Sequence, residues 1–102
     1  MTNTTHIIQN QINNNKLIIY IKGTPTSPMC GFSAQIIHIF NSLDLNYTYV
    51  NVLDNIKIRQ TLPSYSNWPT FPQIYYKTKL IGGTDIIMNL YNNNKLKKIL
   101  TE

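Results

Sequence analysis

Residues 17–40 read LIIYIKGTPTSPMCGFSAQIIHIF, and the change of pattern inside them governs how the rest of the chain is read. Leu17-Ile18-Ile19-Tyr20-Ile21 is an unbroken apolar run of β-branched and aromatic residues, the composition of a buried central strand. Gly23, Pro25 and Pro28 then force a loop. From Cys30 onward the spacing turns helical: Ile36, Ile37, Ile39, Phe40 and Leu43 form a broad apolar face that no Gly or Pro interrupts. The one cysteine of the chain therefore stands where a strand has ended, a proline-rich loop has turned and a helix begins.

Toward the C-terminus, Asn46 to Leu53 sets Tyr47 and Tyr49 against Val50 and Val52, which predicts a second strand. A polar helix is expected from about Asn55 to Leu62, with Pro63 ending or bending it. Phe71 to Tyr76 and Lys79 to Ile81 read as a β-hairpin around a Lys77-Thr78-Lys79 turn that lacks glycine. Gly82-Gly83 breaks the chain, and Thr84 or Asp85 is expected to cap a last helix containing Ile86, Ile87, Leu90 and Tyr91. Toward the N-terminus, Ile7, Ile8, Gln11 and Ile12 suit a short helix entered at Thr4 or Thr5. The runs Asn13-Asn14-Asn15 and Asn92-Asn93-Asn94 read as helix ends. The order is an α/β one: a βαβ unit followed by a hairpin and a helix, giving a four-stranded mixed sheet flanked by helices. That is the thioredoxin arrangement, and other small α/β folds share it.

With 102 residues the expectation is one domain spanning 1–102 and a modest core. Nine Lys and Arg against four Asp and Glu leave a net charge of +5, which admits nucleic acid, an anionic surface or a small anionic ligand. The charges do not run together, apart from Lys95, Lys97 and Lys98, which read as a solvated helix. No RNP-like or helix-turn-helix pattern accompanies them, so no nucleic-acid partner is expected. No run approaches the roughly 18 apolar residues of a membrane span, and Met1 to Thr5 lacks the basic start and apolar core of a signal peptide. The expectation is a cytoplasmic protein without membrane association. A single cysteine agrees, since it rules out an internal disulfide.

Free cysteines are commonly small buried hydrophobes. At a helix start, however, unpaired backbone N–H groups carry partial positive charge and favour the thiolate, and Lys22 adds a cation nearby. Gly31 lets a ligand approach the backbone, and Ser33 is expected to satisfy a first-turn N–H. A second cysteine at position 33 would close a Cys-x-x-Cys disulfide; Ser33 stands there instead. Any mixed disulfide at Cys30 must then be resolved by an outside thiol such as glutathione. This leaves exchange chemistry or a role as ligand.

Lys22-Gly23-Thr24-Pro25 with Pro28-Met29-Cys30-Gly31-Phe32-Ser33 closely resembles the signature of the CGFS monothiol glutaredoxins. Trp68-Pro69-Thr70-Phe71-Pro72-Gln73 and Gly82-Gly83-Thr84-Asp85 resemble that family's other two motifs, so the resemblance covers essentially the whole chain. It implies a thioredoxin fold, with Pro72 as a cis-proline beside the cysteine. It also implies that Phe71 offers its backbone N–H and C=O to the cysteinyl part of glutathione. Lys22 and Arg59 would meet glutathione carboxylates. Gly83, Thr84 and Asp85 would hold the γ-glutamyl end at a helix start, with Asp85 pairing with its amino group. Trp68 reads as packing or a groove wall. Many relatives have cysteine where this chain has Thr84, a departure that leaves Cys30 as the only thiol.

The resemblance further implies a [2Fe–2S] cluster with Cys30 as its metal ligand. Such a cluster usually takes four ligands, and this chain supplies one. Two chains and two glutathiones would complete the set, so the cluster-bound form would be a homodimer, or a complex with a partner that supplies other ligands. Zinc suits the sequence poorly, because no Cys/His grouping with structural-site spacing exists. The function implied is cluster biogenesis and transfer to apo iron–sulfur acceptors, with BolA-type proteins as further partners. The alternative is a glutathione-dependent oxidoreductase that removes glutathione from protein thiols with Cys30 as nucleophile. The family's members are generally weak in that reaction. A regulatory module responding to glutathione or to the cluster is a third reading.

Overall fold

The computed structural model describes residues 3–102. Helix α1 (Asn3–Asn13) leads into strand β1 (Leu17–Ile21), followed by two short strands, β2 (Gly23–Thr24) and β3 (Ser27–Pro28). Helix α2 (Gly31–Ser42), strand β4 (Thr48–Asn51) and helix α3 (Ile56–Ser66) come next. Strands β5 (Gln73–Tyr76) and β6 (Lys79–Gly82) and helices α4 (Thr84–Asn92) and α5 (Leu96–Ile99) complete the order. The main sheet runs β4-β1-β5-β6, with β4 parallel to β1 and the other two pairs antiparallel.

β1 is buried along its whole length because helices cover both sheet faces. The two-residue period of a strand sends its side chains alternately to each side. Leu17, Ile19 and Ile21 join Ile36, Ile37 and Phe40 of α2, Ile74, and Ile87 of α4 on one face. Ile18 and Tyr20 join Ile8 and Ile12 of α1, Ile58 and Leu62 of α3, and Tyr75 on the other. The apolar run that marked the central strand thus feeds two cores, one per face.

Several boundaries differ from the sequence expectation. α3 does not stop at Pro63 but continues to Ser66, ending at Asn67 in the left-handed conformation (φ 53°). Proline removes one helical donor, and the turn around it is held by Leu62, which is fully buried. Gly83, in extended conformation, is the N-cap of α4, and neither Thr84 nor Asp85 caps it. Thr4 and Thr5 lie inside α1, with Thr4 buried, so neither caps it. The second strand shortens to Thr48–Asn51, and the hairpin strand begins at Gln73, leaving Phe71 and Pro72 in the preceding loop. The β2–β3 ribbon and α5 have no counterpart in the sequence reading. The β5–β6 turn persists without glycine: Lys77 (φ 49°) and Thr78 (φ 71°) both take the positive φ that a two-residue turn of this hand requires.

No helix among the described residues is long and apolar enough to cross a membrane.

Candidate functional site

β1 ends pointing at the start of α2, and the intervening chain is tied down at several points. The Lys22 backbone N–H donates to Ser33 Oγ (3.1 Å), and the Gly23 N–H donates to Asn51 Oδ1 (2.9 Å) at the end of β4. The Met29 N–H donates to the Lys22 carbonyl (2.9 Å), closing the β2–β3 ribbon. Cys30 follows as the N-cap residue of α2, in extended conformation and partly exposed. Ser33 is wholly buried. Its hydroxyl does not cap the first turn of its own helix, as the sequence suggested; it accepts from Lys22 and so locks the helix start to the strand end.

The thiol of Cys30 is held below its ordinary pKa. The largest cause is the Ser33 backbone N–H aimed at the sulfur; partial burial works against it, and the Phe32 N–H, the Lys22 charge and the Ser33 hydroxyl add to it. The ionised thiolate favours the folded state above the ordinary thiol pKa, and that contribution disappears as pH falls through the lower folded value. Alkylation of Cys30 by iodoacetamide is therefore expected to show a midpoint below that of an unstructured thiol. Lys22→Ala should move that midpoint up by only a minor part of the displacement, because the main donors belong to the backbone. A midpoint equal to that of the unfolded chain would contradict this account.

Cys30 lies on the rim of an open groove of about 810 Å³. The seven residues singled out from the sequence (Lys22, Cys30, Arg59, Phe71, Gly83, Thr84 and Asp85) all line it. They arrive from four places in the chain: the end of β1 with the start of α2, the exposed face of α3, the loop before β5, and the N-terminus of α4. The Phe71–Pro72 peptide bond is cis. Two of the groove's walls touch, since a Cβ built on Gly83 would lie 3.2 Å from both the Pro72 carbonyl oxygen and Trp68 Nε1. At the N-terminus of α4 the unpaired backbone N–H groups favour an anion.

Further lining comes from Phe32, Pro63, Trp68, Pro69, Thr70 and Ile86; of these the sequence suggested a groove wall only for Trp68. Asn51, which holds Gly23, carried no sequence signal at all. Phe32 (58 % exposed), Met29 (67 %) and Ile86 (39 %) give the site an exposed apolar border. Trp68 Nε1 and Thr84 Oγ1 are buried without a hydrogen-bond partner. His38 is exposed on α2, and no group of three or more His, Cys, Asp or Glu that could hold a metal ion occurs among the described residues.

A family model described as Glutaredoxin matches residues 17–81. The chain is 51 % identical over 94 residues to glutaredoxin 4 of Buchnera aphidicola subsp. Baizongia pistaciae, covering 92 % of this chain and 87 % of that protein. It is 47 % identical over 93 residues to a probable monothiol glutaredoxin 2 of Rickettsia felis, covering 91 % of this chain and 89 % of that one. The crystal structure of a buckwheat glutaredoxin–glutathione complex matches with a TM-score of 0.83 at 25 % identity, over 96 % of this chain and 87 % of that one.

Proposed function

The chain belongs to the glutaredoxin family, in its monothiol branch, and from that premise we propose that it binds glutathione in the Cys30 groove and, as a pair of chains, carries a [2Fe–2S] cluster to acceptor proteins. The observation that carries the reading is the single partly exposed thiol, held low by backbone N–H groups, in a groove lined by two cations, Lys22 and Arg59, and a helix N-terminus. Glutathione is a peptide with two carboxylates, an amino group and a thiol, so each kind of lining has a counterpart on it. Lys22 and Arg59 meet the carboxylates, and the Phe71 backbone pairs with the cysteinyl residue. Gly83 and Thr84 hold the γ-glutamyl carboxylate, with Asp85 beside its amino group. Of the three buried side-chain polar atoms without partners among the described residues, the two on groove-lining residues, Trp68 Nε1 and Thr84 Oγ1, also fit a polar guest.

The cluster is cargo and not a fixture of the fold. One thiolate per chain cannot complete a four-ligand set, and no other ligand grouping exists among the described residues. Two Cys30 thiolates and two glutathione thiolates do complete it. The exposed Met29, Phe32 and Ile86 provide apolar surface on which a second copy can settle around the thiols. Ligands that dissociate with glutathione suit handing the cargo on, to apo iron–sulfur proteins or through a mixed complex with a BolA-type protein.

The low thiol also favours a second reading. The Cys30 thiolate attacks the glutathione sulfur of a protein–glutathione disulfide and releases the protein thiolate; a second glutathione thiolate then attacks the mixed disulfide, freeing Cys30 and leaving glutathione disulfide. Anaerobic reconstitution with iron, sulfide and glutathione separates the two. A glutathione-dependent chromophore on a species of twice the monomer mass supports the carrier. A colourless monomer that turns over glutathionylated protein rapidly supports the reductase.

Removing either cation tests the groove itself. Lys22→Ala and Arg59→Ala are each expected to weaken glutathione binding roughly three- to tenfold, as for partly exposed charge-assisted contacts. Titration calorimetry reads the change, and unaltered affinity in both variants contradicts the assignment.

A further inference from the structure

Gln73 opens β5 opposite Tyr20 of β1 and is wholly buried, in a strand whose other members are Ile and Tyr. A buried carboxamide is costly unless its donors and acceptor are paired, so its presence at a core position calls for a reason other than filling space. Here every part of the amide is engaged. Nε2 donates to the Trp68 carbonyl at 2.8 Å and to the Thr70 carbonyl at 3.3 Å, while Oε1 accepts from the Tyr75 hydroxyl at 2.8 Å. The two carbonyls belong to the irregular run between α3 and β5, where Pro69 and Pro72 have no N–H to contribute to a backbone ladder. Trp68, Thr70 and Phe71 of that run line the groove.

We propose that Gln73 is a positioning residue: its buried carboxamide clamps the Trp68 and Thr70 carbonyls and thereby sets the Phe71 backbone at the register in which glutathione pairs with it. The inference rests on the glutathione reading of the groove. Tyr75 acts behind it, fixing the rotation of the carboxamide so that both N–H groups face the loop. The thiol itself is untouched by Gln73, because its N–H donors come from the first turn of α2. The clamp should therefore affect recognition of the peptide and leave the reactivity of the sulfur alone.

Disulfide exchange separates these two properties. The Cys30 thiolate attacks a disulfide R–S–S–R, forming Cys30–S–S–R and releasing R–S⁻, so no other oxidant or reductant is needed. Rates are measured by mass spectrometry with glutathione disulfide and with bis(2-hydroxyethyl) disulfide, which lacks a peptide. Gln73→Leu is expected to slow the first reaction about tenfold and to change the second by less than about twofold, the loss of aligned hydrogen bonds being felt only by the guest that uses the loop. Should Gln73→Leu not fold, Gln73→Met keeps the length and linear shape of the side chain, lacks the two donors and carries the same expectation. Equal losses with both disulfides, or no loss with either, overturn the proposal. A native chain showing no preference for glutathione disulfide beyond the acidity of its leaving thiol removes the glutathione reading itself, and the Gln73 proposal with it.

Discussion

Gly23→Ala is expected to lower the melting temperature by roughly 10–20 °C, corresponding to about 3 kcal/mol in a domain of this size. Gly23 sits at φ +100°, where an L side chain is strained by about 1–3 kcal/mol before any contact is counted. A Cβ there would also lie 2.6 Å from the Met29 nitrogen, 2.6 Å from the Ser27 carbonyl oxygen and 2.9 Å from the Pro28 Cα. All three are backbone atoms, so no side chain can swing away to relieve the clash. Relief must come from opening the β2–β3 ribbon, and Met29 immediately precedes Cys30. The variant should therefore lose function beyond its loss of stability: as the loop moves, the first-turn N–H groups no longer converge on the sulfur. Thermal unfolding and the pH profile of Cys30 alkylation read the two effects. A variant with native melting and a native profile would show that the loop tolerates the methyl group and that its geometry does not set the thiol.

Cys30→Ser is expected to abolish both the mixed disulfide with glutathione and the glutathione-dependent chromophore, while stability changes by no more than about 1 kcal/mol. The physical contrast is sharp because the side chain is partly exposed and serine fills nearly the same space. A hydroxyl stays protonated where the thiol ionises and forms no disulfide. Since Cys30 is the only cysteine, no second thiol can substitute for it. Reconstitution followed by visible absorption and solution mass is the measurement. A chromophore of undiminished intensity on the variant would place the cluster ligands elsewhere and end the carrier reading.

Much of the fold was legible because β1 and α2 carry unambiguous periods. Five consecutive β-branched and aromatic apolar residues suit a strand buried on both faces, and the Ile36-Ile37-Ile39-Phe40-Leu43 spacing suits one face of a helix. The candidate site was legible for a different reason: Cys30, Phe71, Gly83 and Asp85 fall in three short motifs resembling those of one family, and one groove is lined by all of them. Boundaries were less legible, because they depend on local competition. Pro63 ends an isolated helix in principle, but the burial of Leu62 and the left-handed Asn67 carry α3 through to Ser66. Thr84 looked like a cap by type, yet Gly83 takes that place.

By itself the sequence determined the order of elements, the central strand and the absence of a resolving thiol. These are properties of residue type and spacing along the chain. Only the tertiary structure decided how they are held: that Ser33 Oγ accepts from the Lys22 N–H, that Asn51 anchors Gly23, and that Gln73 clamps the loop before Phe71. A polar side chain has many hydrogen-bond partners within reach of its type, and its choice among them depends on which backbone groups the folded core leaves unpaired beside it. That choice is made across separations such as Gly23 to Asn51, which no local pattern encodes.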